Sequence, residues 1–132
     1  MAEIKLILHV TSTTLPNLTI TVNQQQVNYI VKQNNDPQGN VILLFQTELE
    51  LDNSIHLIVS DADGTVDLIN IIVDEMAFGW ITFLCSTVNN QQSLQVINDG
   101  TIEIDLQTPI WQYWCEKMNS FNYKDYPLGS VN

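Results

Sequence analysis

The chain is short of positive charge. Lys5, Lys32, Lys117 and Lys124 are its whole basic complement, against 15 aspartates and glutamates, for a formal charge of −11. Binding to phosphate needs a cationic footprint, so nucleic acid is excluded as an expected partner, and an anionic membrane surface is disfavoured for the same reason. Cysteine and histidine are also scarce. Cys85 and Cys115 stand in WITFLC and WQYWC with no CxxC or Cys/His spacing, so thiolate metal chemistry has no support. They read as two buried free thiols or as one disulfide. His9 and His56 lie inside strand-like segments, opposite the apolar set, and no GxSxG or nucleophilic cysteine pattern accompanies them. No apolar run reaches the length of a membrane span, and MAEIKLILHV lacks the layout of a secretory signal. Synthesis in the cytosol and a non-enzymatic role are the expectations.

What is present is alternation. The 132 residues suit one domain with a core of its own. In EIKLILHV, Ile4, Leu6, Leu8 and Val10 point one way and Glu3, Lys5 and His9 the other. NLTITVN, VNYIVK, NVILLFQT, SIHLIVS, VDLINIIV, WITFLC, SLQVIN and TIEIDL continue in strand-length, β-branched segments, with Trp80 and Phe83 read as core or near-core residues of WITFLC. Turn chemistry separates them at Leu15-Pro16-Asn17, Asp36-Pro37, Asp52-Asn53, Asp63-Gly64 and Asp99-Gly100. About nine such strands predict an all-β sandwich, jelly-roll or immunoglobulin-like, over residues 1–107.

Residues 108–132 differ. TPIWQYWCEKMN predicts a short helix over 108–119, with Thr108 as cap, Pro109 at the first helical position, and Ile110, Trp111, Trp114, Cys115 and Met118 at helical spacing. The tail FNYKDYPLGSVN adds Phe121, Tyr123 and Tyr126. Helix and tail are expected to pack on the sandwich or on a neighbour, within a single domain. Trp111, Trp114, Phe121, Tyr123 and Tyr126 are the candidate interface residues, since aromatics dominate interfaces and stack on sugars. Asn and Gln make up about a fifth of the chain and gather at 23–26, 33–35 and 89–92. These stretches read as solvated hairpin ends. They also suit hydroxyl-rich surfaces, because an amide both donates and accepts.

The stretch SDADGTVD, residues 60–67, brings carboxylates together. Asp61, Asp63 and Asp67, with Asp74 beyond the next strand, are candidate metal ligands, and Ca²⁺ takes six to eight such oxygens. The spacing is not that of an EF-hand: Val66 stands where the glycine belongs and Ile72 where the bidentate glutamate belongs. The plain alternative is a hairpin turning on Asp63-Gly64.

DADGTVDLI resembles the later part of the calcium loop of integrin-type propeller repeats, with Val59 in place of the first ligand. Over residues 4–75, a strand, an aspartate-rich loop and the strand VDLINIIVDE are similar to the calcium-dependent carbohydrate-binding modules, the xylan-binding families among them. That resemblance implies a jelly roll whose loop calcium, held by Asp61, Asp63 and Asp67 with Asp74 flanking, takes polysaccharide hydroxyls. It ends after residue 76. In style, a small all-β chain with an Asn/Gln-rich surface and an aromatic tail resembles the accessory virion proteins of tailed phages. This second resemblance implies a non-catalytic structural or adhesive subunit of a virion: decoration, neck, baseplate or tail-fibre-associated. Its partners would be other virion proteins, in a homo- or hetero-oligomer, and host polysaccharide where the two resemblances meet.

Overall fold

The computed structural model of the protein describes residues 1–12, 15–33 and 40–120. Two antiparallel sheets face one another. The chain runs β1 (Ala2–Val10), β2 (Asn17–Val22), β3 (Gln25–Val27), β4 (Ile30–Gln33), β5 (Asn40–Thr47), β6 (Asp52–Ser60), β7 (Thr65–Val73) and β8 (Met76–Ala77). A 3₁₀ turn (Gly79–Ile81) and helix α1 (Thr82–Cys85) follow. Then come β9 (Ser86–Val88), β10 (Gln91–Gln92), β11 (Gln95–Ile97), β12 (Gly100–Gln107) and helix α2 (Ile110–Ser120). The first sheet has the order β11-β7-β1-β5-β4, with β8 on β7; the second has β10-β9-β12-β6-β2-β3. This is the expected all-β sandwich with one short C-terminal helix.

Alternation builds it. Ile4, Leu6 and Leu8 of β1, Leu43 and Phe45 of β5, and Leu68 and Ile71 of β7 face Ile20 of β2, Ile55 and Leu57 of β6, and Ile102 and Ile104 of β12, all buried. Each such side chain contributes about 1.5–3 kcal/mol by leaving water. Between Ile7 and Leu8 the β1–β7 register shifts, and the extra residue leaves Ile69 43 % exposed while Leu68 and Ile71 both stay inside. The tight hairpin turns are Asn23-Gln24, Asp74-Glu75 and Asn89-Asn90, each with two positive φ values. Asn and Asp tolerate that conformation, which matches the strand twist. The amide-rich stretches at 23–26 and 89–92 are therefore hairpin ends, on opposite edges of the second sheet.

Two segments depart from the alternating pattern. VNYIVK is cut at Asn28–Tyr29, where the chain leaves β3 in the second sheet for β4 in the first. WITFLC is no strand. Gly79, at φ +58°, starts the 3₁₀ turn, and Phe78, Ile81, Thr82 and Cys85 bury one helical face. Trp80 is 44 % exposed, short of the core or near-core place expected of it, while Phe83 is half-buried as expected but on a helix and not a strand. The Thr82 hydroxyl oxygen accepts from the Ile71 amide at 3.3 Å, and the Thr82 carbonyl accepts from Ser86 Oγ at 2.8 Å, which holds this turn against β7.

Helix α2 starts close to where its sequence places it and packs on β12 and the 3₁₀ turn. Thr108 donates its hydroxyl to the Glu50 carbonyl at 2.9 Å, so it ties the helix start to the β5–β6 crossover. Both cysteines are free thiols. Tyr113 is the buried anchor of the helix, its hydroxyl donating to the Asp105 carbonyl at 2.7 Å and lying against the Cys85 thiol. Burial pushes the Tyr113 phenol far above its ordinary range and the Cys85 thiol up as well.

The consequence appears at alkaline pH. The unfolded phenol ionises near pH 10 and the folded one does not, so the native state holds more protons and stability falls as pH rises past about 10. The Tyr113 contribution to that slope approaches about 1.4 kcal/mol per pH unit. Urea unfolding between pH 9 and 11 should show a steeper loss for the native chain than for Tyr113→Phe, which retains the contributions of Cys85 and Tyr29, both raised by burial. Equal slopes would mean that the phenol ionises as freely folded as unfolded.

Candidate functional site

Three crossovers, β1–β2, β6–β7 and β11–β12, pass between the sheets at one end of the sandwich. Residues 61–64 are one of these, not a hairpin: β6 lies in the second sheet and β7 in the first. Asp61 takes the left-handed conformation, at φ 58°. Gly64 meets a different need. A Cβ there would come within 2.9 Å of Thr11 Oγ1 and 3.1 Å of the Ser12 amide nitrogen.

The carboxylates hold the crossovers together. Asn17 Nδ2 donates to Asp61, and Ser12 Oγ donates to Asp63. Thr11 Oγ1 accepts from the Thr65 amide at 2.8 Å, and the Asn98 amide donates to the Gly64 carbonyl at 2.8 Å. Asp67 stands outward on β7, in register between His9 of β1 and Gln95 of β11. Asp74 lies at the far end of β7, roughly 20 Å from Asp67 at the usual strand rise, and its Oδ1 accepts from the Glu3 amide at 2.8 Å. The four aspartates do not converge. Among the described residues no three His, Cys, Asp or Glu side chains form a group able to hold a metal ion. The residues present do not fit the calcium site that the resemblance implied.

Of the five candidate interface residues, Trp111 and Trp114 are described; Phe121, Tyr123 and Tyr126 lie outside the described residues. The two indoles stack with centroids 5.5 Å apart and planes 8° from parallel. Trp111 is 64 % exposed, while Trp114 Nε1 is buried with no hydrogen-bond partner among the described residues. Lys117 Nζ sits 5.5 Å from the Tyr113 ring centroid, a contact that fixes the helix face more than it builds a site. His56 Nε2 meets Ser54 Oγ at 3.0 Å, on the open face of a sheet. No described helix is long and apolar enough to cross a membrane.

At the opposite end from the three crossovers a groove of about 480 Å³ opens between β3, the end of β5 and the β5–β6 crossover. Binding sites for small ligands commonly measure about 300–1,000 Å³. Val22, Val27 and Leu49 supply apolar lining, and exposed Gln25, Gln26, Gln46, Glu48 and Glu50 supply polar lining. Among the described residues no Lys, Arg or His side chain lines it. One buried residue organises it. Asn53 Oδ1 accepts from the Glu50 amide at 2.8 Å and from Asn23 Nδ2 at 3.0 Å, and its Nδ2 donates to the Glu50 and Leu106 carbonyls at 2.8 and 3.2 Å. Asn23 Oδ1 accepts in turn from the Ser54 amide at 2.9 Å. Gln25 and Gln26 belong to an amide-rich stretch that stands out in the sequence. Gln46, Glu48 and Glu50 carry no signal of their own, because only the fold sets residues 46–50 beside 22–27.

No protein-family model matches the chain, and no curated protein matches it. Among solved structures it is similar to vCBM60, described in connection with a circular permutation that links two families of calcium-dependent carbohydrate-binding modules. The identity is 15 %, 79 % of this chain and 90 % of that one are covered, and the TM-score is 0.48. A likeness that remote assigns neither ligand nor site here.

Proposed function

We propose that the protein is a non-catalytic module that binds a neutral polysaccharide, with the groove at 22–27 and 46–50 as its site. The observation that carries this reading is the lining of the groove: exposed glutamine amides and carboxylates beside apolar side chains, with no Lys, Arg or His side chain among the described residues. Sugar hydroxyls both donate and accept, as amides do, and the CH faces of a sugar ring suit the half-buried Val27 and Leu49. Glu48, Glu50 and the net charge of −11 disfavour anionic glycans. No step of this reading passes through a metal.

Isothermal calorimetry against soluble neutral glycans (cello-, xylo- and laminari-oligosaccharides) tests it, with polygalacturonate as the anionic control. At least one neutral glycan is expected to bind and polygalacturonate is not. Binding of the polyanion alone would contradict the reading.

The stacked Trp111–Trp114 pair, with Trp111 exposed, favours a second reading, a structural or adhesive subunit of a larger assembly such as a phage virion. Such a subunit would use α2 to contact a neighbour and leave the groove open.

A further inference from the structure

We infer that the groove is one end of a longer track, and that the ligand is a linear neutral polysaccharide held along its length across the second sheet. This rests on the reading of the groove as a carbohydrate site. Strand register places Gln92 opposite Thr87, Thr87 opposite Glu103, Glu103 opposite His56, His56 opposite Thr21, and Thr21 opposite Gln26. Residues directly opposed share a face. Their strand neighbours Ser86, Ile102, Ile104, Ile55, Leu57, Ile20 and Val22 are buried, so the row faces outward.

Six polar side chains thus form one line from edge to edge, about 24 Å long at the usual strand spacing. Each can donate, accept or do both, and none is a permanent cation. The Ser54 hydroxyl braces the imidazole in the middle of the row at 3.0 Å. Gln26, the last residue of the line, also lines the groove.

The first sheet gives the comparison. Two of its outward rows run Ile30, Leu44, Lys5, Ile72 and Lys32, Ile42, Ile7, Asn70, mostly apolar with a lysine in each; a third, Asn40, His9, Asp67, Gln95, is polar over four strands, against six residues from edge to edge in the second sheet. A continuous hydroxyl, amide and carboxylate line that ends in an amide-lined groove matches a ligand that repeats its hydroxyl edge ring after ring. It does not match a compact one.

The test is calorimetry on the full chain with a neutral oligosaccharide series running from disaccharide to octasaccharide, in whichever linkage binds. Affinity should climb with length and then level off once the row is spanned. The double variant Thr21→Ala/Glu103→Ala should lose about tenfold for the octasaccharide and under about twofold for the disaccharide, since two hydrogen bonds to the track go missing. Gln46→Ala should weaken every length alike. Both substituted row positions face solvent, so an unchanged unfolding midpoint confirms the fold of the variant. Length-independent affinity, untouched by the double variant, would overturn the track and leave the groove reading standing. Failure of every length to bind would overturn the groove reading and the track with it.

Discussion

Asn53→Ala is expected to destabilise the protein by about 3 kcal/mol and to abolish binding in the groove. The side chain is 4 % exposed and makes four hydrogen bonds, joining the Glu50 amide and carbonyl, the Leu106 carbonyl and Asn23 Nδ2. Alanine removes all four at once. A buried backbone group left without a partner costs about 1–3 kcal/mol, and water can reach part of this site because Glu50 is exposed. That combination sets the figure near 3. Function suffers as well, since Asn53 holds the crossover segment carrying Glu48, Leu49 and Glu50 against the β2–β3 turn. Urea unfolding read beside glycan affinity checks the prediction. A loss under about 1 kcal/mol with unchanged affinity would mean that the crossover holds its place without Asn53.

The triple variant Gln25→Ala/Gln26→Ala/Gln46→Ala separates binding from stability. All three side chains are exposed, so the unfolding midpoint should shift by less than about 0.5 kcal/mol. Each amide removed forfeits about 1 kcal/mol of hydrogen bonding to sugar hydroxyls. Affinity for a neutral glycan should then fall about a hundredfold. The opposite result is expected of Asp61→Asn/Asp63→Asn. It weakens the bonds from Asn17 and Ser12 that join the crossovers and leaves the glycan affinity where it was. Affinity lost with the aspartates and kept without the glutamines would move the site to the other end of the sandwich.

Strand existence is legible in this sequence because alternation and burial are local properties. Ile4, Leu6 and Leu8 announce their face within five residues. The path between sheets is not local, and both Asp-Gly pairs show it: 63–64 and 99–100 look like two-residue hairpin turns, yet each joins strands in different sheets. The actual hairpin turns use Asn23-Gln24, Asp74-Glu75 and Asn89-Asn90, where asparagine or aspartate, not glycine, takes the first positive φ.

WITFLC could have been read correctly. Phe78, Ile81, Thr82 and Cys85 fall at helical spacing once the segment is started at Phe78, and the alternation seen from Trp80 onward is a coincidence of six residues. Asp74 shows a different limit. Its distance from Asp61 and Asp63 follows from β7 being a continuous nine-residue strand, so counting carboxylates without strand length overstated the cluster. Half of the groove was visible as glutamines at 25–26. The other half, at 46–50, is brought there by sheet order alone.

The central claim is that the working surface lies at the β2–β3 and β5–β6 end. Amide chemical-shift mapping of the ¹⁵N-labelled chain during titration with a neutral oligosaccharide tests it most directly. The account predicts saturable shifts concentrated at Gln25, Gln26, Gln46, Glu48, Leu49 and Glu50. Shifts concentrated instead at Asp61–Gly64, or at the indoles of Trp111 and Trp114, would contradict it.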